Sequence, residues 1–206
     1  ELADRCGVRH AIATVNGTAA LHAAFMATGV RPNDEVFVPA LTFVATANAV
    51  CHAGAVPHFV DCDKDRLGVD VQKLARYLEE IAVADGEGSN GPVFRNRQTG
   101  RVLRAIVPMH VFGIPMDIEA LVDLASKYNL LIIEDAAEAL GSKYKERPVG
   151  SFGNAAALSF NGNKIITTGG GGAVFTESEE KYNKILHLST TARISHPYEI
   201  EHDQIG

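Results

Sequence analysis

Short runs of apolar, mostly β-branched residues recur along this chain, with segments of helical spacing between them. Leu130–Ile133 is the strongest run, and Val36–Pro39, Val56–Val60, Ala105–Pro108, Ala155–Phe160 and Gly172–Phe175 are of the same kind; Ala11–Val15 reads as the end of another strand. None shows the polar–apolar alternation of a half-solvated strand. Strands apolar on both faces need cover on both faces, which parallel sheets obtain from helical crossovers. The pattern therefore predicts an α/β fold: a mostly parallel sheet covered by helices on both faces.

The intervening segments supply those helices. Val71–Ile81 places Val71, Leu74, Leu78 and Ile81 at helical spacing behind an Asp70 cap, and Ile118–Tyr128 follows Asp117 in the same way. Glu177–Leu188 reads as the last helix. Thr18–Thr28, closed by Gly29, and Thr42–His52 are apolar on nearly every side. Helices of that texture are expected to be buried by the sheet and by something further. Asp85–Pro92 reads as a polar loop, with an inserted hairpin after it and before the strand-helix alternation resumes.

Composition narrows the classes. A chain of 206 residues suits one large domain and can bury a real core. With 25 acidic against 19 basic residues, the net charge of -6 argues against a nucleic-acid surface. No apolar run is long enough for a membrane span, and the first residues do not read as a signal peptide. Cys6, Cys51 and Cys62 form no C-x-x-C pair, so neither zinc nor a disulfide framework is expected, and a reducing cytoplasm fits them. No metal site is expected.

In a parallel sheet, ligands bind beyond the carboxyl ends of the strands. Asn16-Gly17-Thr18 follows the first strand and opens a helix, where free amides suit a phosphate; it reads equally as an ordinary capping turn. Phe43 follows the second strand, either as core or as a platform for a flat ring. Glu134 and Asp135 follow the most apolar strand, where a carboxylate is costly to bury without a partner. They resemble a magnesium-holding strand end, and would equally serve a cationic ring nitrogen. The G-x-x-x-x-G-K-[ST] phosphate loop is missing, which removes the nucleotide-hydrolase reading, and no G-x-G-x-x-G follows the first strand. Lys164 lies between Ser159–Asn163 and the run Gly169–Gly172, where partial desolvation would free its amine as a nucleophile. Four glycines in a row imply a backbone passing close to something. Phosphate cradle, ring platform, acid and lysine together are what pyridoxal 5′-phosphate (PLP) requires.

These motifs, in order, resemble a known family. Asn16–Leu21, Pro39–Thr46, Glu134–Gly141 and Ser159–Lys164 with the glycine run are similar to the DegT/DnrJ/EryC1/StrS sugar aminotransferases, through nearly all of the chain. The resemblance implies the aspartate-aminotransferase type fold, fold type I, with residues 1–206 as its PLP-binding large domain. The family's N-terminal segment and C-terminal small domain are expected to lie outside this stretch. It implies amino transfer, with glutamate as the expected donor, to the keto group of a nucleotide-linked sugar in cell-surface polysaccharide biosynthesis. A cytoplasmic homodimer with active sites shared between subunits is implied as well.

Carried over by position, Lys164 is the Schiff-base lysine and Asp135 the partner of the pyridine nitrogen. Phe43 stacks on the ring, and Gly17, Thr18 and Ser159 hold the phosphate. Glu138 faces the phenolic oxygen, a position often His or Gln in the family. His110 and Gly113 match a further motif, His110 being expected to support the site from behind. The Asn96–Arg101 segment and Asn161–Lys164 resemble the legionaminic acid and bacillosamine-type subgroup, implying a UDP-4-keto-6-deoxy-N-acetylhexosamine. Two other readings stand beside this one. Sugar dehydratases of the family replace the lysine, so Lys164 speaks against that activity. A non-catalytic binding or regulatory module would not need the motif residues that are intact here.

Overall fold

The computed structural model describes residues 1–89, 91–195 and 200–203. In chain order the elements begin α1 (Leu2–Cys6), β1 (His10–Thr14), α2 (Gly17–Thr28), β2 (Glu35–Pro39), α3 (Val44–His52), β3 (Val56–Val60) and α4 (Val71–Ile81). The hairpin β4 (Ala82–Gly88) and β5 (Gly91–Asn96) follows, then β6 (Leu103–Ile106), a 3-10 turn at Val111–Gly113, α5 (Ile118–Lys127) and β7 (Leu131–Asp135). The rest is the short pair β8 (Lys143–Tyr144) and β9 (Arg147–Pro148), then β10 (Ala155–Ser159), β11 (Gly172–Thr176), α6 (Glu179–Ser189), β12 (Arg193–Ser195) and β13 (Ile200–His202).

Seven strands form one sheet in the order β1-β11-β10-β7-β6-β2-β3. The run from β10 to β3 is parallel throughout, and β11 lies antiparallel between β1 and β10. The doubly apolar strands explain the layers. Val36, Val38, Ile133, Ala155 and Ala157 face a core shared with α2, α3 and α6. Their neighbours Phe37, Ile132, Ala156 and Leu158 face the opposite core, with α4 and α5. Each strand thus gives alternate side chains to two cores, as the α/β reading requires.

Local chemistry sets the element ends. Asp70 caps α4 by accepting from the Lys73 amide at 3.0 Å. Asp117 precedes α5 without making a side-chain cap; its carboxylate accepts from Tyr144 Oη at 2.8 Å instead. Asp85–Gly88, read as loop, belongs to β4, which pairs with β5 across a register shift between Ala84 and Glu87. The hairpin therefore starts earlier than its polarity suggested, because β4 is exposed beyond Ala82 and carries no apolar run to announce it. The helix expected from Thr42 begins at Val44.

The two helices expected to be wholly buried are not. Ala20, Leu21, Ala24 and Phe25 of α2 are buried, but Met26 is 36 % exposed, and Val44 of α3 is 60 % exposed. Ala19, His22, Ala23 and Met26 border a shallow apolar groove with Val15 and Leu188. Among the described residues, no helix is long and apolar enough to cross a membrane.

Candidate active site

β1, β2, β6, β7 and β10 all point their carboxyl ends at one edge of the sheet, and β11 begins there. The loops at that edge enclose a cleft of about 280 Å³. Gly17, Thr18, Phe43, Asp135, Ser159 and Lys164 all line it, with Asn16, Met109 and Asn161 among their neighbours. Six of the seven residues singled out from the sequence thus share one cavity, and the seventh, Glu138, contacts one of them, Lys164.

The α2 end of the cleft is an anion cradle. Asn16 caps the helix through its side chain, accepting from the Ala19 amide at 2.7 Å. The amides of Gly17 and Thr18 have no acceptor within the helix, and the positive end of the helix dipole points at the cleft. Gly17 is required by proximity: a Cβ there would lie 2.8 Å from Ser159 Cβ. The glycine run divides in two. A Cβ on Gly172 would meet the Asn16 carbonyl carbon at 2.5 Å, so this backbone does pass against the cradle, whereas Gly169 and Gly170 have nothing within 4 Å.

Asp135 ends β7 and is buried. Its Oδ2 accepts from Thr46 Oγ1 at 2.7 Å and its Oδ1 from the Ala137 amide at 3.1 Å. Burial raises its pKa; the Thr46 and Ala137 hydrogen bonds and the charge of Lys164 pull the other way without cancelling it. A cation brought against this carboxyl group would be stabilised strongly, because the site has too little positive charge of its own.

Lys164 follows β10 through a turn closed by its own amide on the Asn161 carbonyl at 3.0 Å. Its side chain is 10 % exposed, its amine 3.3 Å from Glu138 Oε1 and 5.8 Å from the centre of the Phe43 ring. Phe43 is 61 % exposed, so it is not core. Glu138 uses its other oxygen to accept from the Phe112 amide at 2.9 Å.

Behind the cleft, Glu134 and His110 form a pair whose mutual contact and loop partners the sequence did not reveal. Glu134, fully buried, accepts from the amides of Gly150, Phe152 and Gly153 at 2.6–2.7 Å. His110 Nε2 donates to it at 3.1 Å, which places His110 behind Asp135 rather than in the cleft. Glu134 therefore pins the Gly150–Gly153 loop to the strand that carries Asp135. Thr46 was also missed; a threonine inside an apolar helix gives no sign that its hydroxyl meets a carboxylate far along the chain.

Similarity to known proteins now decides the lineage. The model of the DegT/DnrJ/EryC1/StrS aminotransferase family matches residues 1–206. The chain belongs to this family. It is 43% identical over 186 residues to the GDP-perosamine synthase of Caulobacter vibrioides, covering 90% of this chain and 44% of that one. The structure of a DegT/DnrJ/EryC1/StrS aminotransferase from Brucella abortus superposes with a TM-score of 0.84 at 32% identity, over 100% of this chain and 51% of the other. NtdA from Bacillus subtilis, solved with bound cofactor PMP, gives a TM-score of 0.76 at 30% identity over 93% of this chain and 38% of its own. The chain spans about half the length of the curated relatives it matches. The fold is that of the PLP aminotransferases, as the motifs implied.

The family's cofactor is PLP, and the cleft fits it. The absence of a side chain at Gly17 lets the start of α2 pack against Ser159, which sets the free amides of the helix beside the Ser159 hydroxyl as a phosphate needs, and the under-compensated Asp135 suits a protonated ring nitrogen. Asn96 and Thr99 bond to Glu35, which opens β2 at the amino edge of the sheet, opposite the cleft. Asn96 and Thr99 thus serve the amino edge of the sheet.

Proposed function

We propose that this chain is the cofactor-binding part of a PLP-dependent aminotransferase that delivers an amino group from an amino acid, glutamate by expectation, to the keto group of a nucleotide-linked deoxy sugar. The observation that carries the reading is the convergence of Lys164, Asp135 and Phe43 around one cleft whose far end is the α2 anion cradle. PLP supplies an electrophilic carbonyl and an electron sink when bound. Gly17 and Thr18 bind its phosphate through their amides, assisted by Ser159. Phe43 covers one face of the ring. Asp135 holds a proton at the ring nitrogen. Lys164 Nζ would hold the cofactor's carbonyl group and would serve as the base that moves the proton at the substrate carbon. Glu138 orients that amine through the 3.3 Å contact. The subunits pair with shared active sites, and the open apolar face of α2 is the surface we assign to the pairing. The setting is cytoplasmic synthesis of cell-surface polysaccharide.

Two nucleotide classes remain in the proposal. Asn161–Lys164 favours a UDP-linked 4-keto-6-deoxy-N-acetylhexosamine, while the similarity to GDP-perosamine synthase favours a GDP-linked keto sugar. The test of the activity is borohydride reduction of the PLP-saturated protein followed by peptide mapping, then assay of the full-length protein with both nucleotide sugars. The pyridoxyl group is expected on Lys164. Label on another lysine, or none, ends the reading.

A further inference from the structure

A second exposed aromatic is tied by its backbone to Glu138, the partner of the Lys164 amine, and that backbone is strained. Phe112 has φ 53° and ψ 24°, the left-handed region that bulky residues avoid. Its ring is 76 % exposed. Neither feature helps the fold: asparagine or glycine would hold this turn with less strain, and burial gains nothing from a ring in water. The loop is nevertheless held firmly. The Phe112 amide donates to Glu138 Oε2 at 2.9 Å, and Ser142 Oγ donates to the Gly113 carbonyl at 2.7 Å. Gly113 packs so tightly that a Cβ would sit 2.9 Å from the Glu138 carbonyl oxygen. Strained residues persist where the surroundings over-determine them, and they gather at ligand sites.

The position says which ligand. Glu138 holds the Phe112 amide with one oxygen and the Lys164 amine with the other. One carboxylate separates the aromatic residue's backbone from the Lys164 amine, so this exposed residue is anchored beside the cleft. Phe43 already lies over Lys164 from another side of the cleft, 5.8 Å from its amine. We propose that Phe112 is a specificity-determining residue whose ring receives the apolar face of the sugar ring, an inference that rests on the keto-sugar reading above. A deoxy sugar presents C–H and methyl groups, which pack on an aromatic face as other apolar groups do. The nucleotide, tethered to the far side of the sugar, is not what this ring contacts.

The test compares Phe112→Asn and Phe112→Tyr with the parent, in the full-length protein that carries this chain. Asparagine tolerates the left-handed backbone and removes the ring; tyrosine keeps the ring. The Michaelis constant for the keto sugar should rise by about tenfold in Phe112→Asn and stay near the parent in Phe112→Tyr. The glutamate half-reaction, followed by cofactor absorbance, should change by less than about twofold. The melting temperature of Phe112→Asn should equal or exceed that of the parent. An unchanged Michaelis constant, equal losses in both half-reactions, a lower melting temperature, or dissociation of the assembly in sedimentation would each overturn the proposal. Failure of the keto-sugar reading shows separately, as absent label on Lys164 or absent turnover of any keto sugar by the parent, and it overturns this inference with it.

Discussion

Glu35 and Asp135 are both buried carboxyl groups on neighbouring parts of one sheet, and their surroundings are opposite. Glu35 opens β2 at the amino edge. It accepts from Thr99 Oγ1 at 2.5 Å, Asn96 Nδ2 at 2.9 Å and His58 Nδ1 at 2.8 Å, with Arg101 at 4.0 Å. Burial pushes its pKa up, but the Thr99, Asn96 and His58 bonds outweigh burial and leave it lowered. Asp135, at the carboxyl edge, has two donors and a raised pKa. A saturated carboxylate ties chain segments together. One short of donors is built for a partner that arrives later. Glu134, next in sequence to Asp135 but holding three amides and His110, falls on the saturated side.

The comparison breaks most visibly at Asp135. Asp135→Asn keeps the shape and removes the charge a ring nitrogen needs. PLP affinity should fall roughly 10–100-fold, the worth of a charged hydrogen bond in a dry site, with nearly all transamination lost. The chain itself should melt no lower at neutral pH. The sign follows from the raised pKa: the stability this group contributes is present below the ordinary carboxylate range and lost as pH rises through its folded-state value. Removing the charge therefore removes a penalty. Visible-absorbance titration with PLP and melting curves measure both effects, and a variant that binds PLP as tightly as the parent would end the assignment.

Glu35→Gln should do the reverse. Stability should fall by roughly 1.5–3 kcal/mol at neutral pH, while PLP affinity stays unchanged. Because its pKa is lowered, Glu35 stabilises above the ordinary carboxylate range, and that contribution is lost as pH falls through the lower folded value. The deficit of the variant should therefore shrink under acid, as read by denaturant unfolding at neutral and acid pH. A deficit independent of pH would place the effect in packing rather than charge.

The contrast also explains what could be read beforehand. Lys164, Asp135, Phe43 and the Asn16–Thr18 turn each follow a strand, so the parallel-sheet rule alone points them at one edge. Periodicity located α4 to the residue, because its buried stripe of Leu74, Leu78 and Ile81 is carried by local spacing. Glu35 was not legible. Its partners lie 23, 61 and 64 positions away, and a glutamate ahead of an apolar run looks like a surface residue. The β4–β5 ribbon and the β8–β9 pair put only a few apolar side chains, Ala82, Phe94 and Tyr144, on the core, too few to leave a periodic trace. Within this chain, Asn96 and Thr99 of the segment that resembles a subgroup answer to Glu35, a structural demand at the far edge.

Thr46 offers the finest cut. It is fully buried in α3, its hydroxyl lies 2.7 Å from Thr42 Oγ1, and it donates to Asp135 Oδ2 at 2.7 Å. Thr46→Val preserves volume and leaves that oxygen without a side-chain donor. If Asp135 is the unsaturated carboxyl group, losing one of its two donors should raise its proton affinity further and cost the chain about 0.5–1.5 kcal/mol at neutral pH, less in acid. An arriving ring nitrogen still finds the carboxyl group, so PLP affinity should fall by only about 2–10-fold, well short of Asp135→Asn. Melting curves at two pH values and a PLP titration give both numbers. If Thr46→Val lowers affinity as far as Asp135→Asn does, the threonine is part of the ligand site itself, and the division into saturated and waiting carboxyl groups has to be redrawn around the pair.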